Sequence, residues 1–243
     1  MGGMSGGREK ALTAPQLSGI RRLTALETVR ARIALAVELG LLAPGEWLPA
    51  SDKIAAALDV GEITARRALV SLCEDGVLER IRGRGGGTRV AEDPVRAAVS
   101  ATATYESSAD EVRALIDHRL VLECGLAHLA AQRSDESTMD ELRRLVDEMD
   151  RAESWAEFHG HDEAFHLAVA RLAGVDVEPY RRALHDLYRF YLPYPLDHLQ
   201  ESNADHRTLV EALAARDPLR ATEAAHKHVA TLHNTMFIAL NRQ

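Results

Sequence analysis

The chain has 243 residues, 46% of them hydrophobic, and a formal net charge of −8, which suits one large domain or two ordinary ones with enough apolar content for a core. Charge divides it: residues 1–93 hold 13 Lys+Arg against 12 Asp+Glu, leaving 16 against 25 for the rest, so a near-neutral head precedes an acidic body. The only cysteines, Cys73 and Cys124, lie in apolar helical patterns, which excludes a disulfide framework and fits a reducing cytoplasm; no run reaches the ~18 apolar residues that span a bilayer, and the opening MGGMSGGREK has no apolar signal core.

Residues 1–18 are rich in Gly and Ser without periodicity and read as a disordered tail. A winged helix-turn-helix is expected over 19–91. From Leu26 to Leu41 the residues Val29, Ile33, Val37 and Leu41 recur every four positions, the mark of an amphipathic helix, which Gly40 and Ala43-Pro44-Gly45 close. Ser51 is placed to cap a short second helix bearing Ile54, Ala55 and Leu58. A turn through Asp59-Val60-Gly61 leads to a third helix with Ala65, Ala68, Leu69 and Leu72 inward, ending at Asp75-Gly76. Val77 to Ile81 then reads as a strand, and RGRGGGTRV as a polar tip and return strand.

Residues 92–108 are small and polar and broken by Pro94, a linker about which the domains are expected to pivot. Beyond it every period is helical, over 109–133, 135–152, 154–173, 178–192, 199–215 and 217–241, with short breaks between. The fold expected is mainly α, a winged helix-turn-helix followed by an antiparallel helical bundle over 109–243. Within that bundle Asp162 and His166 stand at i and i+4, so carboxylate and imidazole leave one helix in one direction, and His206 and His228 stand at matching depths in later helices. This is a pattern for a metal.

The segment from Gly40 to Val90 resembles the DNA-binding domain of the GntR family of bacterial regulators over about 24–91. The likeness rests on Pro44-Gly45 with Leu48-Pro49, Ala55, Leu58 and Val60, Arg66 with Ala68-Leu69, Leu72, Gly76, and the wing ending Thr88-Arg89-Val90. The resemblance implies double-stranded DNA as partner. In such a head Glu62, Ile63 and Thr64 at the start of the recognition helix face base edges, Arg66 and Arg67 reach phosphate or guanine, and Arg82, Arg84 and Arg89 flank a wing that approaches the backbone. A lone arginine is ordinarily a solvated charge; this grouping favours contact with DNA. The chain departs from the family at Ala50-Ser51-Asp52 and at Gly61-Glu62, where two customary arginines are missing, so its operator is expected to differ.

The body resembles the FCD effector domain of the FadR-type branch of that family over about 109–240. It carries Arg119 and Glu123 as Arg-x-x-x-Glu, Asp162-x-x-Phe165-His166, His206, Asp217 and His228. The resemblance implies that Asp162, His166, His206 and His228 bind a divalent metal at the base of a ligand pocket. Three imidazoles and a carboxylate suit zinc first, with nickel, cobalt and manganese as other fits, and leave room for a carboxylate effector. Arg119 is placed either to grip that effector or to pair with Glu123 along its helix; Tyr188, Tyr191 and Asn203 are candidate pocket residues. His161 and His226 are decoys, and the other histidines, His159 among them, are read as surface or core. Gly174-Val175-Asp176 replaces a common Gly-Asn-Pro and is expected to reshape one pocket wall.

The function expected is a cytoplasmic homodimeric transcriptional regulator that binds an inverted repeat, with affinity set by a small organic acid at the metal. A regulator responding to the metal itself, or a metal-dependent enzyme, are the alternatives.

Overall fold

The computed structural model describes residues 24–95 and 109–236; the expected tail, most of the linker and the end of the last helix lie outside the described residues. The head comprises α1 (Ala25–Glu38), α2 (Ser51–Ala57), α3 (Glu62–Glu74), β1 (Leu78–Ile81) and β2 (Gly87–Val90). The body comprises α4 (Ala109–Arg133), α5 (Glu136–Arg151), α6 (Trp155–Leu172), α7 (Val177–Tyr188), α8 (Leu196–Ala214) and α9 (Pro218–Thr235).

Thr24 starts α1 with a capping box, its hydroxyl accepting from Glu27 N–H while the Glu27 carboxylate accepts from Thr24 N–H. Three helices and the wing then share one core, in which Val29, Ile33, Ile54, Ala65, Leu69 and Leu72 meet Val77, Leu78 and Val90. The periodicity places these residues inward, but Ser51 is not a cap. It is the first helical residue, and Ala50 holds the N-cap position without a side-chain bond, because the chain turns into the helix one residue before the hydroxyl. Gly76, at φ +75°, lets the chain leave α3 for β1. The antiparallel ladder pairs Leu78 with Val90 and Ile81 with Gly87. At its tip a Cβ on Gly86 would stand 2.3 Å from the Ile81 carbonyl oxygen, so no side chain fits that turn.

The six body helices close over Leu126, Leu142, Met149, Phe165, Leu184 and Leu213. Here α9 packs along α4 and α8, and α5 packs against α6 and α8. Two boundaries shift from the periodic reading at the proline pair: α7 ends at Tyr188 and α8 begins at Leu196, with Pro195 as its N-cap residue. Proline suits the head of a helix, where no intrahelical partner for an N–H is needed. Asp217 caps α9 by accepting from both Leu219 N–H and Arg220 N–H, with Pro218 in the first turn. Asp217→Ala is therefore expected to lower stability by about 1 kcal/mol, seen as an earlier urea midpoint at unchanged slope.

Head and body are packed together. Leu35 on α1 lies in an apolar cluster with Val112, Ile116, Leu187, Leu192 and Val229 of the body, while Trp155 and Ala156 at the start of α6 join the head's core. The pivot expected from linker composition meets this seam. Its cause is a second apolar stripe, Ala31 and Leu35 on α1 with Leu39 at its C-cap, offset from the stripe that faces α3. No helix among the described residues is long and apolar enough to cross a membrane.

Candidate metal centre and nucleic-acid interface

Three helices bring four donors together. Asp162 and His166 lie one turn apart on α6, His206 on α8 and His228 on α9, and one ring nitrogen from each histidine lies within 4.8 Å of the others. Asp162 Oδ1 is 3.4 Å from His206 Nε2 and 3.6 Å from His166 Nε2. Burial drives the His206 pKa down to about 4, and burial with the neighbouring His206 and His166 rings takes His228 well below the usual imidazole range, so both are neutral at neutral pH. Burial alone would raise the Asp162 pKa; the adjoining His166, then His206 and Arg119, outweigh it and hold the carboxyl well below its usual range.

Neighbours fix which nitrogen of the His206 and His166 rings carries the proton. Asn203 donates its amide to the Val146 carbonyl at 2.9 Å and to Asp150 Oδ1 at 2.8 Å, so its Oδ1 faces His206 Nδ1 at 3.0 Å and accepts from it. His206 Nε2 is left with its lone pair toward Asp162. Arg119, which can only donate, lies 2.8 Å from His166 Nε2, so that nitrogen also carries a lone pair and Nδ1–H points to Glu123 Oε2 at 3.5 Å. Two acceptor nitrogens thus face each other at 3.4 Å beside an anionic oxygen. Arg119 satisfies only that of His166, and three imidazoles with a carboxylate at this spacing fit a divalent metal by the chemistry of the donors. Asn203→Ala should lower metal affinity about 10–100-fold in a competition titration with a chromogenic chelator.

Above this floor is a cavity of about 230 Å³ that reaches Arg119, Asp162 and His228. Arg119 takes the intrahelical reading, its Nε pairing with Glu123 along α4, and its Nη1 donates to the Tyr191 hydroxyl oxygen at 2.7 Å on the cavity wall. Glu123 is braced by the Tyr180 hydroxyl at 2.7 Å. Two expectations need correction. Asn203, 0% exposed, lies behind His206 rather than on the cavity, and Tyr188 is buried with its hydroxyl donating to Asp162 Oδ2 at 3.4 Å. Both side chains touch the His/Asp cluster from outside because α7 and α8 pack their inner faces against it. His159, read as an ordinary histidine, lines the cavity; burial lowers its pKa to about 4, and it packs edge-on to Tyr188 at 4.3 Å. The available signal is spacing, since 159, 162 and 166 share one helical face. The decoys stand apart, with His161 Nδ1 3.3 Å from Glu148 and His226 exposed. Asp176, on the divergent Gly-Val-Asp stretch, caps α7 by accepting from Glu178 N–H.

On the head, Glu62, Ile63, Arg66 and Arg67 are exposed along α3, with Ile63 at 65%, while Thr64 is half-buried. Arg82 and Arg84 are exposed at the wing tip. Among the described residues none of these four arginines makes an ion pair. Arg89 differs: it is half-buried, bound to Glu79 at 2.7 Å and Glu92 at 3.1 Å, with its guanidinium 6.0 Å from the Trp47 ring centre. Its charge is largely spent inside the wing.

A helix pair presenting cations beside a wing, joined to a helical bundle with a His/Asp cluster, agrees with the likeness to known proteins. Residues 25–90 match bacterial regulatory proteins of the gntR family, and residues 114–231 match the FCD domain. The chain is a GntR-family transcriptional regulator with an FCD domain. RmpR of Mycobacterium gastri, named as an HTH-type transcriptional regulator, is 29% identical over 205 residues, covering 82% of this chain and 75% of RmpR. The HTH-type transcriptional regulator YcbG of Bacillus subtilis strain 168 is 29% identical over 221 residues, 86% of this chain and 89% of its own. Among solved structures, Escherichia coli McbR/YncC is similar at 18% identity and a TM-score of 0.48, with 90% of this chain and 100% of that one covered. The matched families and relatives are regulators, which sets aside the enzyme alternative.

Proposed function

We propose that this GntR-family regulator senses a small carboxylate at a divalent metal held by Asp162, His166, His206 and His228. The observation that carries the reading is the convergence of His166 Nε2, His206 Nε2 and the Asp162 carboxylate beside a cavity whose lining includes Asp162, His228 and Arg119. Zinc suits this N₃O set first; nickel, cobalt and manganese also fit. Bound there, the metal supplies a Lewis-acid position for a ligand oxygen. Arg119 offers the same ligand a fixed guanidinium fork. Glu62, Ile63, Thr64, Arg66, Arg67, Arg82 and Arg84 form the DNA face, and Arg89 stiffens the wing.

The test is a gel shift on promoter DNA with metal and carboxylic acids titrated separately. Operator affinity that moves with an acid only when metal is loaded supports the reading; affinity that follows metal alone and ignores every acid replaces it with a metal-responsive regulator. One winged head touches too few base pairs for useful specificity, so the operator is an inverted repeat read by a homodimer. Light scattering should give a mass about twice the 26.7 kDa chain. A monomer that binds one half-site tightly would overturn that part.

A further inference from the structure

The outer wall of the ligand cavity belongs to the DNA-binding head. Arg32 on α1 and Ala57 and Leu58 at the end of α2 line it together with Arg119, Asp162 and His228 of the body. Arg32 is 4% exposed, and its guanidinium donates to three main-chain carbonyls: Leu58 at 3.4 Å in the head, and Tyr188 at 2.7 Å and Tyr191 at 2.5 Å in the body. Tyr191 has its other end on the cavity floor, where its phenol oxygen accepts from Arg119. Tyr188 repeats the arrangement, with its carbonyl on Arg32 and its hydroxyl on Asp162. The two tyrosine rings are 5.0 Å apart, with His159 packed against both at 4.3 and 5.7 Å. Packed groups of this kind shift together rather than singly.

We propose that the cavity is a two-domain ligand site, read by the head through Arg32 and Tyr191, and that its ligand is a monocarboxylate with an apolar body. The inference rests on the effector reading above and adds to it the class of acid and the route to DNA. Two cations line the cavity, Arg119 and Arg32, and Arg32 is already held by three main-chain carbonyls. The lining also includes Trp155, Phe158, Leu192 and Leu199 of the body and Leu58 of the head. An apolar body gains by covering those side chains. A second carboxylate would instead lie against these apolar side chains and meet the acidic Glu201, with the Arg32 guanidinium already committed to carbonyls. A carboxylate on Arg119 competes with the Tyr191 hydroxyl for the guanidinium, and a displacement of Tyr191 that carries its backbone moves the carbonyl that holds Arg32. Head position and ligand occupancy then share one set of hydrogen bonds, and linkage requires each to change the affinity of the other.

The experiment uses the full-length, zinc-loaded protein and an operator duplex selected from random DNA by the wild type. Acetate, succinate, hexanoate and phenylacetate are titrated by calorimetry, and operator affinity is read by fluorescence anisotropy with and without each acid. Hexanoate or phenylacetate should bind at least about tenfold more tightly than acetate or succinate and change operator affinity by about tenfold or more. Tyr191→Phe removes only the hydroxyl that competes for Arg119; it should keep zinc and bind the acid more tightly than the wild type, while the operator response falls below about twofold. Arg32→Gln should lose the response in the same way, and the gentler Tyr191 variant decides the matter if Arg32→Gln does not fold. If an acid binds and regulates Tyr191→Phe as it does the wild type, the effector reading stands and the relay is wrong. Succinate or acetate binding as tightly as the apolar acids overturns the ligand class alone. If no acid binds the wild type or moves its operator affinity, the effector reading fails and this inference falls with it.

Discussion

His206→Ala is expected to reduce bound metal from about one equivalent per chain to a trace, measured by elemental analysis of tag-free protein after dialysis. The residue is 1% exposed, and its Nε2 lone pair is aimed at the Asp162 carboxylate by the Asn203 bond behind it. Alanine removes a donor that no neighbour replaces. The remaining Asp162, His166 and His228 make three donors, and His166 is also claimed by Arg119. His161→Ala is the control: that ring turns toward Glu148 on α5, so its loss should leave metal content unchanged. Because metal binding to the folded state stabilises it by mass action, the wild type should gain melting temperature on zinc addition and His206→Ala should not. A wild type with no stoichiometric metal and none taken up on titration would sink the assignment, as would His161→Ala losing metal as completely as His206→Ala.

Much of this architecture is legible in the order of the amino acids. The helical periods of the body place α4 at Ala109–Arg133 as expected, and the i, i+4 spacing of Asp162 and His166 survives folding because both leave the same face of α6. Local pattern fails where a side chain's role depends on what packs across from it. Tyr188 and Asn203 belong to the centre but act from behind, which depends on the approach of α7 and α8. Arg32 is the clearest case: a charge within an amphipathic helix reads as solvent-facing, yet three carbonyls from two domains bury it. The seam itself is hidden from local pattern because linker composition reports on the linker, while Leu35 on α1 decides whether the head can leave the body.

Arg66→Ala is expected to weaken operator binding by about 1–3 kcal/mol, close to fivefold at the low end and beyond a hundredfold at the high end. The helix should remain folded, since α3 is held by Ala65, Ala68, Leu69 and Leu72, while Arg66 is exposed and takes no part in that core. Among the described residues no carboxylate pairs with its guanidinium, unlike Arg89, which two carboxylates already hold. Glu62, one turn earlier on the same helix, favours the positive N-terminal end of the helix dipole but repels phosphate, so this head depends on its remaining cations more than one with arginine there. The contact type can be separated by measurement. If Arg66 reads a guanine edge, the variant loses discrimination at one base pair; if it holds a phosphate, affinity drops evenly across sequences and the slope of log affinity against log salt falls by about one. Anisotropy titrations on matched and single-substituted operators at several salt concentrations distinguish the two. Unchanged affinity, specificity and salt slope together would mean that α3 does not enter the groove and that the head meets DNA by another face.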